Sequence, residues 1–170
     1  MNLVFYIASA VAVLSAAFAI TRTNTVHALL HMIVLLLSVS LVLFVIGAPY
    51  VAALQVIIYA GAIMVLFVFT IMMLNQGPDS AEQERAWLNF RAWILPAALA
   101  GVLLLEMVWV LHSESVSLVG TPVPPKAVSL ALFGPYILLV ELLSLLLLAG
   151  LIGAYHIGRR EPERPGELKP

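Results

Sequence analysis

The sequence predicts an all-α polytopic membrane protein with five transmembrane helices, and three observations predict it. Hydrophobic residues make up 63% of the 170-residue chain and charged residues only 10%, against about 25% charged in an ordinary soluble domain. The apolar residues gather into five runs of about 18 residues or more, each enough at 1.5 Å per residue to cross roughly 30 Å of hydrocarbon. The polar stretches between the runs are too short to build a separate soluble domain.

Each run follows from its residues. The first, Leu3–Ile20, is preceded by no basic n-region and followed by no convincing cleavage site, so it reads as a retained helix and not a signal peptide. The polar turn Thr21-Arg22-Thr23-Asn24-Thr25 leads into the second run, His27–Ile46. Gly47-Ala48-Pro49 is tighter and makes the second run and the third, Tyr50–Leu74, an antiparallel hairpin. A charged loop from Asn75 to Arg91 follows, with Ala81–Trp87 reading as a short surface helix. The fourth run is Trp93–Leu111 and the fifth Val128–Ile157, joined by a Ser-, Gly- and Pro-rich stretch from His112 to Lys126. The third and fifth are longer than a straight span needs, which predicts tilting or a local helix defect.

Residues 1–158 thus form a transmembrane domain. Residues 159–170, polar and carrying Pro162, Pro165 and Pro170, form a disordered tail. Basic residues set the orientation. Arg22, Arg85, Arg91, Arg159, Arg160, Arg164 and Lys169 fall on one side of a five-span chain and Lys126 alone on the other. The N-terminus is therefore expected outside and the C-terminus cytoplasmic. A net charge of −1 gives no reason to expect nucleic acid, and the absence of Cys excludes disulfides and thiolate-held metal or iron–sulfur clusters in this chain.

Buried polar groups carry the functional information. In the third run Gln55 and Tyr59 are one turn apart on one face, and Gly61 sits between Ala60 and Ala62. Small residues permit close helix approach and make a π-bulge or local unwinding less costly, and such defects mark functional sites. The alternative is a tight packing notch with a satisfied Tyr hydroxyl. Glu141, counted from the outer end of the fifth run, lies roughly 17 Å deep. A carboxyl at that depth is a candidate proton carrier; the alternative is an acid hydrogen-bonded for packing, with Ser144 as a local partner. Glu106, near the outer end of the fourth run, reads as an acid snorkelling to the interface or facing a partner subunit.

His27 and His31 have a metal-compatible i, i+4 spacing but no third ligand, so they read as interfacial or structural, as do His112 and His156. Trp87, Trp93 and Trp109 read as interface anchors, and Met64, Met72 and Met73 as packing residues. There is no phosphate loop, nucleophile elbow or HExxH, and no internal repeat of the kind transporters show. The residues describe a small membrane subunit, with acid and Tyr groups poised for proton handling inside a larger assembly.

The run Leu54-Gln55-Val56-Ile57-Ile58-Tyr59-Ala60-Gly61-Ala62-Ile63-Met64-Val65-Leu66-Phe67-Val68-Phe69 resembles the signature of the subunit J family of bacterial NADH-quinone oxidoreductase, respiratory complex I, whose mitochondrial counterpart is NADH dehydrogenase subunit six. Thr23–Leu30, and Leu132-Phe133-Gly134-Pro135-Tyr136 followed by Val140-Glu141-Leu142, resemble the same family. The resemblance implies a membrane-arm subunit without a redox cofactor, FMN and iron–sulfur clusters being held by other subunits. Its implied partners are the other membrane-arm subunits, including antiporter-like subunits and the quinone-site subunit, within the bacterial inner membrane. It also implies a third helix that switches between α-helical and π-bulged forms, centred here on Tyr59 to Met64, with Phe67 closing a dry gap in a water path. This chain departs from some members in carrying Gln55 where they carry Glu, so an ionisable relay at that position is not available. Two rival readings are an equivalent subunit of a membrane-bound hydrogenase or a ferredoxin- or F420-fed relative, and a purely structural subunit. A free-standing channel is the weakest reading.

Overall fold

The computed structural model describes residues 3–22, 24–74, 90–112 and 121–159. All regular structure among them is helical. Five helices are long and apolar enough to cross a membrane: Leu3–Thr21, Thr25–Val45, Pro49–Met73, Trp93–His112 and Ile137–Gly158. The expected surface helix at Ala81–Trp87 lies outside the described residues, as does the expected tail beyond Arg159.

The first helix, α1 (Leu3–Thr21), ends where the Thr21 hydroxyl donates to the carbonyls of Ala17 and Phe18, at 2.9 and 3.4 Å. Helix α2 (Thr25–Val45) begins at Asn24, whose Oδ1 accepts from the backbone N–H groups of Val26 and His27. Such a cap satisfies donors that the first turn leaves orphaned. The α2 terminus is closed by Gly47, at φ 94°. Its N–H donates to Phe44 O, and the Ala48 N–H reaches back to Leu43 O. This is the paired bonding of a Schellman motif, which needs a left-handed residue at that place. Pro49 then opens the third span, at a position where its missing N–H costs nothing.

The third span has three parts: α3 (Pro49–Leu54), a π-helical segment (Gln55–Ile63) and α4 (Met64–Leu74). Next come α5 (Phe90–His112), which accommodates Pro96 within it, then α6 (Pro125–Leu132) and α7 (Ile137–Gly158). The described residues fall into two compact units, divided between Pro124 and Pro125.

In the first unit α2 is central, packing against α1, the third span and α5, and α1 also meets α5. Burial on α1 follows Val4, Ala8, Val11, Ala12 and Ser15, a single stripe at helical spacing whose small residues let the helices approach closely. Two apolar layers cross the bundle. One joins Val4, Val45 and Val110 with Phe5 and Leu41 against them; the other joins Val11, Val34 and Leu99 with Ile7, Phe18 and Leu95.

The second unit corrects the expectation of one helix over Val128–Ile157. The chain turns between α6 and α7 at Phe133–Tyr136. Pro135 disfavours helical geometry at the residue before it and cannot donate to the ladder. Gly134 fits there because a Cβ would lie 2.6 Å from Leu130 O. The defect expected from the excess length of the third and fifth runs is thus found in both: a π segment in one and a break in the other.

Candidate functional site in the third span

The π segment spans nine residues, Gln55–Ile63. Its exit is explicit: the Met64 N–H is directed at Tyr59 O, a five-residue step, as well as at Gly61 O. A Cβ built on Gly61 would stand 3.2 Å from the Val56 carbonyl, again five residues earlier. That is tighter than ordinary van der Waals contact, so the widened turn is accommodated by the residue without a side chain. At the entrance, the Ser40 hydroxyl of α2 donates to the Ala52 carbonyl at 2.9 Å. An α2 side chain therefore holds a backbone acceptor of the third span one turn before the segment begins.

Five of the six singled-out residues lie along this span. Met64 is buried at 2% exposure, Gln55 and Gly61 are half-buried, and Tyr59 and Phe67 are exposed. Tyr59 and Phe67 thus lie on parts of the span that the first unit leaves uncovered. Glu141 belongs to the second unit. It is exposed and stands about one turn from the start of α7, or roughly 6 Å along it. The expected depth of 17 Å is corrected by the Gly134-Pro135 break, which starts the spanning helix later than an unbroken run would. The Ser144 hydroxyl donates to the Glu141 backbone carbonyl at 3.0 Å, within the helix and away from the carboxyl.

A cleft of about 520 Å³ opens beside the segment. Leu37, Ser40 and Phe44 of α2, Ala52 and Val56 of the third span, and Leu103 and Met107 of α5 contribute to its almost wholly apolar lining. Val56, inside the π segment, is part of that wall.

Two groups outside the expected site stand out. Glu106 is not an interfacial acid: it is 8% exposed, and neither carboxyl oxygen has a hydrogen-bond partner. It lies in the packed stripe Leu99, Leu103, Glu106, Val110, which turns toward the neighbouring helices and away from solvent. His31 is fully buried with both ring nitrogens unpartnered, its ring 5.5 Å from Phe18. His27 is also buried, with its ring edge-on to Trp93 at 5.8 Å. These histidines are helix-packing groups and not surface ones. The signal for Glu106 was its spacing from Leu99 and Val110, which is silent in a helix apolar on every face. Trp93 and Trp109 are exposed toward the two ends of α5, as anchors would be. Among the described residues no three His, Asp or Glu side chains converge on a possible metal position.

Helices of this length and hydropathy, with an interrupted backbone in the middle of one, define a multi-pass membrane protein. The chain belongs to the family described as NADH-ubiquinone/plastoquinone oxidoreductase chain 6, which it matches over residues 15–157. It is 52% identical to NADH-quinone oxidoreductase subunit J of Pseudomonas aeruginosa over 166 residues, covering 96% of this chain and all of that one. It is 51% identical to subunit J of Escherichia coli K12 over 169 residues, covering 99% of this chain and 91% of that one. A subunit J of Buchnera aphidicola is 45% identical over 162 residues.

Proposed function

We propose that this chain is a membrane-arm subunit of a proton-translocating NADH:quinone oxidoreductase that gates proton transfer by switching its third span between π and α forms. It carries no redox centre of its own; FMN and iron–sulfur clusters belong to other subunits. Its partners are the neighbouring membrane-arm subunits, antiporter-like and quinone-site subunits among them, in the bacterial inner membrane. Its N-terminus lies outside and its C-terminal tail from residue 159 in the cytoplasm, as the basic residues favour.

The observation that carries the reading is the π segment itself. One residue more or fewer per turn rotates everything downstream by about 100°, a 3.6th of a circle. Conversion therefore swings Met64 and Phe67, with the rest of α4, relative to Gln55. Both forms satisfy their backbone internally, as a membrane demands, so the segment has the bistability that gating requires. In the gate Gln55 holds water by hydrogen bonding, Tyr59 presents a hydroxyl, and Phe67 keeps the closed state dry. Glu141 supplies an ionisable group that Gln55 is not.

Gly61→Val tests this directly. A branched Cβ meets the Val56 carbonyl in the π form, so the variant favours the α form. The expected result is an assembled complex that oxidises NADH but loses most quinone-coupled proton pumping. An assembled Gly61→Val complex that pumps normally would falsify the switch. Tyr59→Phe separates hydroxyl chemistry from ring packing: reduced pumping at normal assembly keeps the hydroxyl in the path, and unchanged pumping removes it. A purely structural subunit would instead lose assembly and turnover in parallel.

A further inference from the structure

The two apolar layers of the first unit lie at different levels along α1, α2 and α5. Along α5, Glu106 comes about two turns beyond Leu99 and about one turn before Val110. It therefore stands between the layer of Val11, Val34 and Leu99 and the layer of Val4, Val45 and Val110. By position along their helices, the residues between the same two layers are fully buried Ala8 on α1 and Ser38 on α2. Ala8 takes little room. The Ser38 hydroxyl donates to Val34 O at 2.8 Å and keeps its lone pairs free to accept. Beyond the Val11 layer, about one turn further on, stand two more fully buried groups, Ser15 and His31, with Ser15 Oγ and both His31 ring nitrogens unpartnered. Past these, Phe18 stacks on His31, and Arg22 covers Phe18 from 5.7 Å at the end of α1.

We infer that Glu106 is a proton-binding site occluded between two apolar layers of the α1–α2–α5 core, filled across the Val11–Val34–Leu99 layer from the side of His31 and Ser15. Three features support it. A carboxyl with both oxygens unpartnered inside hydrocarbon is costly, and such a group marks function by default. The polar atoms form a sequence along the core, from Ser15 and His31 through Ser38 to Glu106, where packing alone would have used apolar residues. The layer between them is made of Val and Leu side chains, which block water when closed and need only small rearrangements to admit it.

Among the described residues, few titratable or charged groups stand near this core. On α1 Tyr6 is exposed, Arg22 follows the helix end and is exposed too, and α2 offers His27 and His31. On α5 itself His112 is exposed at the terminus and bonds Val108 O. The step is simple to balance. A hydronium crossing the Val11 layer gives its proton to a Glu106 oxygen and becomes water; release reverses the transfer, and no electrons move. The site is separate from the π segment and does not rest on the gating reading.

The test is infrared spectroscopy of the whole complex in membranes, following the carboxylic C=O band that changes when Glu106→Gln is compared with the native chain. The expected result is a band that disappears in Glu106→Gln, moves in Glu106→Asp and shifts slowly on transfer to deuterated water. Val34→Thr, nearly the same shape but polar, should speed that exchange at least about tenfold, which is about 1.4 kcal/mol off the cost of wetting the layer. Absence of any band assignable to Glu106 overturns the site. An exchange rate unchanged by Val34→Thr overturns the route of access. Should Glu106→Gln fail to assemble, Glu106→Asp still assigns the band and Val34→Thr still decides the route. Because this readout needs neither turnover nor a switching helix, failure of the π gate would leave it standing.

Discussion

At the residue scale, single side chains determine where each element starts, stops and bends. Asn24 caps α2 with one oxygen serving two N–H groups. Gly47 sits at φ 94°, where a residue with a Cβ pays about 1–2 kcal/mol. Gly47→Ala should therefore lower the stability of the assembled complex by roughly that amount, read as an earlier thermal loss of NADH:quinone activity; an unchanged midpoint would show that the turn relaxes freely. Gly61 and Gly134 are needed for a different reason, close approach to the carbonyls of Val56 and Leu130. Several of these roles were legible in the sequence. Gly47-Ala48-Pro49 announced the hairpin, and Ala60-Gly61-Ala62 offered a loosened turn beside the alternative of a packing notch. Glu106 was misread because a helix apolar on all faces does not show which face is buried.

At the element scale, the third span is held in its widened form from two sides: Gly61 leaves room for the π turns, and Ser40 holds the Ala52 carbonyl at their entrance. Ser40→Ala removes one hydrogen bond, a net loss of about 1 kcal/mol or a factor of about 5 in an equilibrium. In the proposed switch, loss of this contact at the entrance of the segment moves the balance toward the α form. The chain has no Cys, so a single Phe67→Cys tests the proposed rotation through its rate of thiol labelling. A labelling rate that Ser40→Ala leaves unchanged would mean that this contact does not set the balance. Excess length in the third and fifth runs left tilting or a local defect open in each, and the structure shows a defect in both. Why the two defects differ is a matter of local chemistry: proline in the fifth forbids a continuous ladder, while glycine in the third only permits a wider one.

At the scale of the molecule, the first unit buries one stripe of α1, one of α2 and one of α5, yet leaves most of the third span uncovered, and α7 has no buried residue. A half-exposed Tyr59 and an exposed Glu141 are costly against lipid, which is the physical argument for neighbouring subunits over these faces. Mildly solubilised membranes run on a native gel should show this chain moving with an NADH-oxidising, quinone-reducing assembly. Migration by itself would remove the subunit reading, and migration with an assembly lacking NADH activity would transfer it to a different redox-driven pump.

What the sequence by itself determined was the number of spans, the hairpin between the second and third, the place of the defect in the third span and the family signature around Tyr59 and Gly61. All of these depend on local composition and on the geometry of a few glycines and prolines, which neighbours in sequence are enough to set. Tertiary structure alone decided which way each apolar helix faces. Almost every face of these helices is hydrophobic, so the choice belongs to packing: small residues on α1 bring α2 and α5 close. That closeness draws His27 and His31 inward and seals Glu106 between two layers of valine and leucine.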